Sequence, residues 1–533
     1  MAFMDDLEKE VPSTTENGAK GYKYTGNPLL DIAYKVPTLR REAASENLYE
    51  KYFKDAYEFD PNHALKWLLY LRDIRGGLGE RDSFRNIITN MSNDYFGSKD
   101  IEVDKLVSYC DLEEYGRWDD LIELYMNSNS DRVKDTIIEI ISNKLDEDLG
   151  NMDAEQPCSL LAKWMPSINA SSKETRKKAK VLAKDLHLSY AQYRICLSSL
   201  RKYLNVIETK MSDNEWNKID YNSVPSKANI IYKDAFLRHD KKRREQYIED
   251  LKNGDAKINS SANMPYDIVN KYFIQNNSIY YSHMLSGYDK ANMDDILEEL
   301  WKNLPEYFTN KDILPVVDTS DSMIDYIGSK GNVPALAVSV AMGIYCAQHI
   351  KSEQFKNKFI TFSNDPDIVR IDNKSLLNSI ESVMNKKNVG FNTNVEAVFD
   401  LVLKTAVNNK LKQEDLPESI LFISDMEFDE ARRDGYCYYR KDEDEMKKED
   451  NALMKIISDK YKSKGYKLPK LIFWNVDSRT DTIPVTKNDN GLILVSGFST
   501  SIFKMVCSDE LDPFKALCKE LDTDRYSIID EVF

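Results

Sequence analysis

The side chains best suited to chemistry are three oxygen ligands at alternate positions, Asp318, Ser320 and Ser322. They follow the apolar run 313–317, which is typical of a strand buried on both faces of a parallel sheet. Ligands of such sheets bind where strands end. Because carboxylates and hydroxyls are hard ligands, they suit Mg²⁺, Mn²⁺ or Ca²⁺ better than zinc or copper. The pattern predicts a divalent-metal site, although a helix N-cap and turn can have the same short sequence.

Two further stretches extend this candidate site. Thr393 lies in the Gly-containing loop 388–394 before a predicted helix, and the apolar run 420–423 is followed by Ser424 and then by Asp425. In a parallel sheet both aspartates emerge from the same edge, so we expect them to lie together beside the Thr393 loop. The predicted ligand set is Asp318, Ser320, Ser322, Thr393 and Asp425. Mg²⁺ keeps several waters, so waters and one exchangeable position would complete its coordination.

A second group of candidate residues is basic. Residues 161–260 contain 21 Lys and Arg against 12 Asp and Glu, a net charge of +9, whereas the whole chain carries −16. Basic residues interleaved with Tyr190, Tyr193 and Tyr203 suit single-stranded RNA. The alternative is a solvated helix face, neutralised by acids such as Glu174 and Asp185. The candidate RNA contacts are Lys173, Arg176, Lys177, Lys180, Lys184, Arg194, Arg201, Lys202, Lys241, Lys242, Arg243 and Arg244.

Three segments must position these side chains. Residues 1–26 are polar and aperiodic, which predicts a flexible arm. Residues 27–305 carry helical apolar stripes such as Val133, Ile137 and Ile141, and predict an α-helical array of stacked, HEAT-like pairs, with a globular helical domain as the alternative. Residues 306–533 alternate short apolar strands with helices, which predicts an α/β doubly wound sheet. The predicted strands are 313–317, 359–362, 368–371, 420–423, 471–476 and 492–495.

Composition excludes several other classes of protein. The seven cysteines are scattered without a C-x-x-C pair and the five histidines are dispersed, so neither a disulfide framework nor a zinc site is expected. The sequence has no secretory signal pattern at its start and no apolar run of about 18 residues, so we expect no membrane insertion. We also find no Walker motif, nucleophile elbow or Cys-His pair, and expect a protein that is not an enzyme.

The five predicted metal ligands match, in order and context, the metal-ion-dependent adhesion site of von Willebrand factor A domains. This resemblance implies a Rossmann-like domain whose Mg²⁺, or Mn²⁺ or Ca²⁺, binds an acidic group of a partner protein. Met426 departs from the pattern, because many members have glycine after the last aspartate.

A helical array followed by such a domain resembles the TROVE-containing Ro ribonucleoproteins, and more closely their relatives in plants, large viruses and phages. The residues behind this resemblance are 71–81, 114–120 and Tyr193-Arg194 leading to Glu208. It implies a TROVE-like helical ring or arc that binds RNA. The leading hypothesis is therefore a Ro-like RNA-binding protein of the cytoplasm, or of a host cytoplasm or virion if it is viral. The alternative is a metal-dependent interaction or assembly scaffold without RNA. The oligomeric state stays open.

Overall fold

The computed structural model of this chain describes residues 12–14, 20–37, 48–93, 103–260, 263–275, 292–306, 312–327, 333–362, 366–384, 395–426, 453–477, 492–497, 502–506, 510 and 512–533. Contacts divide the chain into two compact units. The helical unit comprises Tyr49–Ala262, Asp295–Asn303 and Leu521–Phe533. The sheet unit comprises Met1–Leu48, Asn263–Asp294 and Leu304–Glu520. Both units are discontinuous in sequence, which differs from the continuous domains 27–305 and 306–533 that we predicted.

The described part of the chain is mostly helical, and its strands lie in a short ladder and one larger sheet. The strands are β1 (Pro12–Thr14), β2 (Lys20–Tyr22), β3 (Ile313–Asp318), β4 (Lys358–Phe362), β5 (Ile368–Arg370), β6 (Ser419–Ser424), β7 (Lys470–Asn475) and β8 (Leu492–Ser496). The helices are α1 (Pro28–Tyr34), α2 (Leu48–Phe59), α3 (Pro61–Arg72), α4 (Arg81–Ser92), α5 (Val103–Tyr109), α6 (Leu112–Tyr115), α7 (Trp118–Asn127), α8 (Asp131–Asp153), α9 (Leu161–Trp164), α10 (Lys173–Asp185), α11 (Tyr190–Tyr203), α12 (Ile207–Ser212), α13 (Ser226–Ile231), α14 (Lys233–His239), α15 (Lys241–Asn253), α16 (Pro265–Gln275), α17 (Asp295–Lys302), α18 (Ala335–His349), α19 (Leu376–Met384), α20 (Val395–Asn408), α21 (Leu453–Ser463), α22 (Ile502–Val506), α23 (Pro513–Leu521) and α24 (Ile528–Val532).

The helical unit is organised by apolar stripes of the kind that the sequence predicted. In α8, Val133, Ile137, Ile141 and Leu145 are buried at intervals of four residues, so they lie on one face. This face packs against α5, α7 and α11. None of the described helices combines the length and apolar composition needed to cross a bilayer.

The glycine cluster 76–79 forms the turn between α3 and α4, as we expected for a helix-to-helix connection. A Cβ atom on Gly77 would lie 1.9 Å from the backbone oxygen of Tyr70, so only glycine fits there. The neighbouring stretch 114–120 contributes Asp120, whose Oδ2 lies 2.8 Å from Nε of Arg72 in a fully buried ion pair. Two of the three stretches behind the helical resemblance, 71–81 and 114–120, thus pack on one another.

The last thirteen residues belong to the helical unit, although we predicted them within the C-terminal domain. Asp73 is fully buried and accepts hydrogen bonds from Arg525 Nη2 at 2.7 Å and from the Tyr526 hydroxyl at 2.9 Å. Lys66 Nζ lies 2.9 Å from carboxylate oxygens of both Asp522 and Asp530. These polar contacts fix the end of the chain against α3.

The sheet unit contains a mixed six-stranded sheet with the order β5-β4-β3-β6-β7-β8. All neighbours are parallel except β4 and β5. The predicted strands are therefore confirmed, as is their alternation with helices. The chain runs outward from β3 to β4 and β5, and then returns to place β6 on the other side of β3. The strand order therefore reverses between β3 and β6, and such a reversal opens a crevice at the carboxyl ends of the two strands.

Helices cover both faces of β3. Val316 belongs to the core cluster that contains Phe399 of α20 and Tyr461 of α21. The next residue, Val317, meets α18, where a Cβ on Gly343 would lie 2.4 Å from a Val317 methyl carbon. Successive side chains of a strand point to opposite faces, so β3 is buried from both sides. This burial explains the unbroken apolar run before Asp318.

Part of the predicted arm 1–26 is also ordered in the sheet unit. Strand β1 pairs with β2 in an antiparallel ladder. Thr25 is buried, and its backbone N–H donates to Asp31 Oδ1 at 2.6 Å. Asn27 caps α1 by accepting from two backbone N–H groups. Helix α1 then lies against β8, and Asn475 at the end of the neighbouring strand β7 donates from Nδ2 to the Tyr34 carbonyl at 3.2 Å.

Candidate metal centre

The two predicted carboxylates come together at the carboxyl edge of the sheet. Val317 of β3 is paired in register with Ile423 of β6, so Asp318 stands beside Ser424, and Asp425 follows one residue later. Asp318 is 0% exposed and Asp425 is 1% exposed. Because β3 and β6 flank the reversal of strand order, both aspartates lie at the crevice where ligands of open α/β sheets bind.

The Asp318 carboxylate is held by donors from two elements. Its Oδ1 accepts from the backbone N–H of Ser320 at 2.9 Å and from the Ser320 hydroxyl at 2.6 Å. Its Oδ2 accepts from the Ser424 hydroxyl at 2.6 Å. From α18, the Ser339 hydroxyl donates to the backbone oxygen of Asp318 at 2.8 Å. The carboxylate therefore has one defined orientation in the crevice.

The two serines of the motif converge beside this carboxylate. The Ser320 and Ser322 hydroxyl oxygens lie 2.9 Å apart, and Ser322 stands on the short 3-10 helix Asp321–Ile324. The alternate spacing of these residues in the sequence thus brings their side-chain oxygens together in the fold. Thr393, the fifth predicted ligand, lies outside the described residues.

Ser424 was missed by sequence reasoning, although it is fully buried at the centre of the site. Its hydroxyl oxygen lies 2.6 Å from Asp318 Oδ2 and 3.5 Å from Asp425 Oδ1, and it accepts from the Met426 N–H at 3.0 Å. The available signal was a hydroxyl residue at the end of an apolar strand, directly before an acid. Ser424 lies outside the D-x-S-x-S pattern and is not one of the five predicted ligands.

Met426 occupies a backbone conformation that glycine adopts more readily than other residues. Its φ is +65°, in the left-handed region that L residues rarely occupy. Its side chain is only 1% exposed and belongs to the core cluster of the sheet. Burial of this side chain compensates for the unfavourable backbone conformation.

The donor set can be tested against the metals that it could hold. Among the described residues, no three His, Cys, Asp or Glu side chains gather into a possible metal site. The candidate centre is instead two buried carboxylates with the Ser320 and Ser322 hydroxyls. A set made only of oxygens fits Mg²⁺ or Mn²⁺ completed by water, and less well Ca²⁺, which takes more ligands. It does not fit a zinc site built from nitrogen and sulfur.

The basic residues of α10 form a distinct surface, which we call the lysine stripe: Lys173, Lys177, Lys180 and Lys184. Their spacing of four, three and four residues places them on one helix face, and all four are exposed. The stripe extends about 16 Å along the helix. Within the described residues, none of the four forms a salt bridge. Its positive charge therefore faces solvent.

The acidic residues of α10 lie on a different side of the helix. Asp185 accepts a hydrogen bond from the Tyr125 hydroxyl of α7. Glu174 pairs with Lys178, whose Nζ also lies 2.6 Å from Glu123 Oε1 of α7. Asp185 is held by Tyr125 of α7 and Glu174 pairs with Lys178, so among the described residues neither acid forms an ion pair with the lysine stripe. The alternative of a balanced helix face is therefore not supported at α10.

Helix α11 adds an aromatic ring to this surface. Tyr190 is 51% exposed, and Lys180 Nζ lies 5.8 Å from the centre of its ring. Arg194 and Lys202 of α11 are also exposed. Tyr193, in contrast, is buried and donates its hydroxyl to the Pro166 carbonyl at 2.9 Å. Of the three predicted aromatics, Tyr190 is the one beside the lysine stripe.

Two of the predicted basic contacts have structural roles instead. Arg201 donates to the carbonyl oxygens of Ala162 at 2.8 Å and Met165 at 2.6 Å, which ties α11 to α9. Burial lowers the pKa of this guanidinium. Arg176 donates to the Ala170 carbonyl at 2.6 Å and so fixes the loop before α10. All three guanidinium nitrogens of Arg201 donate to protein groups, whereas within the described part of the chain Arg176 uses Nη1 alone.

The second basic group is divided between the surface and the core. Lys241 and Lys242 are exposed, and Lys241 lies 3.6 Å from Glu245. Arg243 is exposed but donates to the Trp216 carbonyl at 3.0 Å. Arg244 is 0% exposed, donates to Asn229 Oδ1 at 3.0 Å, and packs with its guanidinium about 5 Å from three aromatic rings, those of Tyr221, Phe236 and Tyr247. The prediction that Arg244 contacts RNA is wrong, because the side chain is part of the core.

Comparison with family models divides the chain at residue 312, close to the predicted domain boundary between residues 305 and 306. Residues 15–136 and 169–312 match a family model described as a domain of unknown function, DUF2828. Residues 312–524 match the model of another domain of unknown function, DUF7788. A similar protein is "Uncharacterized protein L728" of Acanthamoeba polyphaga mimivirus, 26% identical over 552 aligned residues that cover 96% of this chain and 87% of the relative. These descriptions state no activity, so the resemblance to Ro proteins and von Willebrand factor A domains stays a prediction.

Proposed function

We propose that this protein binds RNA on its helical unit and, through a divalent metal on its sheet unit, an acidic group of a partner protein. It is a binding protein and not an enzyme. In this proposal the helical unit is a TROVE-like, HEAT-like array and the sheet unit is a Rossmann-like von Willebrand factor A domain. A cytoplasmic location, or that of a virus in its host, accords with the mimiviral relative.

The lysine stripe carries the RNA part of the proposal. Four exposed ammonium groups on one face of α10, with no acidic neighbour on that face, attract a phosphate backbone. Tyr190 stands beside the stripe and offers a ring on which an unpaired base can stack. Arg194 and Lys202 extend the positive surface along α11. Together these groups favour a single strand over a protein partner.

The test is a titration of purified protein into a labelled single-stranded RNA at about 0.1 M salt. We expect binding that weakens as salt rises, because phosphate contacts release counterions. Absence of salt-dependent binding would remove the RNA part of the proposal. The metal part would then stand alone, and the protein would be an interaction or assembly scaffold.

The metal part is carried by the cluster of Asp318, Ser320, Ser322 and Asp425. Two carboxylates buried in one crevice, with two hydroxyls beside them, suit a divalent cation that neutralises their charge. Thr393 would complete the set if its loop supplies the hydroxyl that the sequence pattern predicts. The bound cation would supply an open coordination position for a carboxylate of the partner. The protein residues themselves orient the ligand oxygens and keep them away from bulk solvent.

Calorimetric titration with Mn²⁺ tests the metal part directly. We expect the wild type to bind Mn²⁺ and Asp318→Asn to lose at least tenfold in affinity. Asp459→Asn is the matched control, because it removes the same charge from an exposed position of α21. Equal affinities for the wild type and Asp318→Asn would contradict the proposed site. Partner capture that requires Mg²⁺ and is lost in Asp318→Ala, with RNA binding unchanged, would assign the acidic ligand to this centre.

A further inference from the structure

We infer that Ser424 is a positioning residue of the candidate metal centre, which holds the Asp318 carboxylate and the Asp425 loop in one arrangement. The inference rests on the proposed metal site. It concerns a residue that belongs neither to the D-x-S-x-S motif nor to the predicted ligand set. Ser424 is the last residue of β6 and is fully buried.

The contacts of the Ser424 hydroxyl define its role. A serine hydroxyl has one proton to donate and two lone pairs with which to accept. The proton is donated to Asp318 Oδ2 at 2.6 Å, and a lone pair accepts the Met426 N–H at 3.0 Å. Asp425 Oδ1, at 3.5 Å, is too distant for a strong hydrogen bond. The hydroxyl therefore joins the end of β3 to the turn that follows β6.

This junction fixes both carboxylates. Asp318 Oδ1 is held by Ser320 from its own loop, while Oδ2 is held by Ser424 from the neighbouring strand. With a donor on each oxygen, the carboxylate plane cannot rotate freely. Both carboxylate oxygens of Asp318 therefore keep fixed positions in the crevice.

The same hydroxyl orients Asp425 through the backbone. Asp425 stands between Ser424 and Met426, and the Met426 N–H returns to the Ser424 oxygen. Met426 adopts a φ of +65°, a conformation that needs support from its surroundings. The hydrogen bond to Ser424 and the buried Met426 side chain provide that support. Loss of the hydroxyl would release this turn and with it the position of Asp425.

Mn²⁺ affinity of full-length variants, measured by calorimetry, tests the inference. Residues that orient metal ligands commonly change metal affinity about 10- to 100-fold when they are altered, so we expect a loss in this range for Ser424→Ala. Ser419→Ala is the control, since Ser419 is a buried serine at the opposite end of the same strand. We expect this control to bind Mn²⁺ as the wild type does. Ser424→Thr keeps the hydroxyl and should retain affinity within a few-fold.

A structural role alone would lower the melting temperature without changing the affinity of the folded protein. Melting temperatures in chelator, and their increase with Mg²⁺, are therefore recorded for each variant. If Ser424→Ala does not fold, Ser424→Cys replaces the strong donor by a weak one at similar size, and the same loss is expected. Wild-type affinity in a folded Ser424→Ala or Ser424→Cys protein would overturn the inference alone. Failure of the wild type to bind Mn²⁺ would overturn the metal site and this inference together.

Discussion

Removing the positive charge of the lysine stripe is the most direct test of the proposed RNA surface. The variant replaces Lys173, Lys177, Lys180 and Lys184 with glutamine. Because these side chains are exposed and form no salt bridge within the described residues, the change removes charge without breaking an ion pair. Glutamine is also a good helix former, so α10 should persist.

The expected magnitude follows from the number of exposed cations. The stripe, Arg194 and Lys202 would together contact about six phosphates, and each contact on a single strand contributes about −0.7 to the slope of log K against log salt. The wild-type slope is then about −4 and that of the variant about −1.4. Between 50 and 200 mM salt, affinity would fall about 300-fold for the wild type but only about 7-fold for the variant.

Fluorescence anisotropy with a labelled oligouridine over this salt range measures both slopes. The control variant replaces Lys404, Lys462, Lys464 and Lys467, which are exposed lysines of the sheet unit, with glutamine. It changes the net charge by the same amount, so a general effect of charge would appear in both variants. A stripe variant with the wild-type slope, or a control variant with an equally reduced slope, would refute the assignment of RNA to α10.

Three further predictions concern the fold. Asp73→Asn should lower the free energy of unfolding of the helical unit by about 2 kcal/mol in urea, because the buried carboxylate loses its charge and with it the strength of its hydrogen bonds from Arg525 and Tyr526. As a control, Asp524→Asn at an exposed position should change this free energy by less than about 0.5 kcal/mol. Equal effects of the two substitutions would contradict the role of Asp73. Gly77→Ala should lower the free energy of unfolding by about 2 kcal/mol or more, because the new Cβ would meet the Tyr70 carbonyl oxygen. Gly150→Ala, in the open last turns of α8, should raise it by about 0.5 kcal/mol. A higher melting temperature for Gly77→Ala than for Gly150→Ala would show that the turn is not close-packed. Burial lowers the pKa of His349, so below about pH 6.5 the unfolded chain binds a proton more readily than the folded chain, and the free energy of unfolding decreases as the pH is lowered. Urea unfolding between pH 7 and pH 5 should show a smaller decrease in His349→Gln than in the wild type. Identical pH profiles would exclude this contribution.

Several features of this protein were determined by local sequence alone. The apolar runs before Asp318 and Asp425 predicted two parallel strands, and parallel strands must release both residues at the same edge. The lysine stripe was readable too, since residues three and four apart share a helix face whatever the helix packs against. In both cases the pattern within one helix, or within two parallel strands, is sufficient to predict which residues share a face or an edge.

Other features depended on contacts between residues far apart in the chain. In the sequence, Arg201 and Arg244 have neighbours like those of the exposed lysines. Only the packing of α11 on α9 shows that Arg201 is partly buried, and only the rings of Tyr221 and Phe236 show that Arg244 is part of the core. Tyr190 and Tyr193 differ by three positions, yet one is half-exposed and the other is buried. A basic or aromatic residue carries no local mark of its burial, because burial depends on which other element covers it.

Tertiary structure also decided the composition of the candidate centre and of the units. Ser424 gained a role only when register placed its hydroxyl against Asp318, a residue 106 positions earlier. Residues 521–533 follow the sheet in sequence but pack with α3, because Asp73 and Lys66 offer complementary charges to Arg525, Asp522 and Asp530. Sequence periodicity determined which elements form and which edge of the sheet carries the acids. The partners of each buried polar group were decided by the fold, because a hydrogen bond or ion pair joins two positions that lie far apart in the sequence.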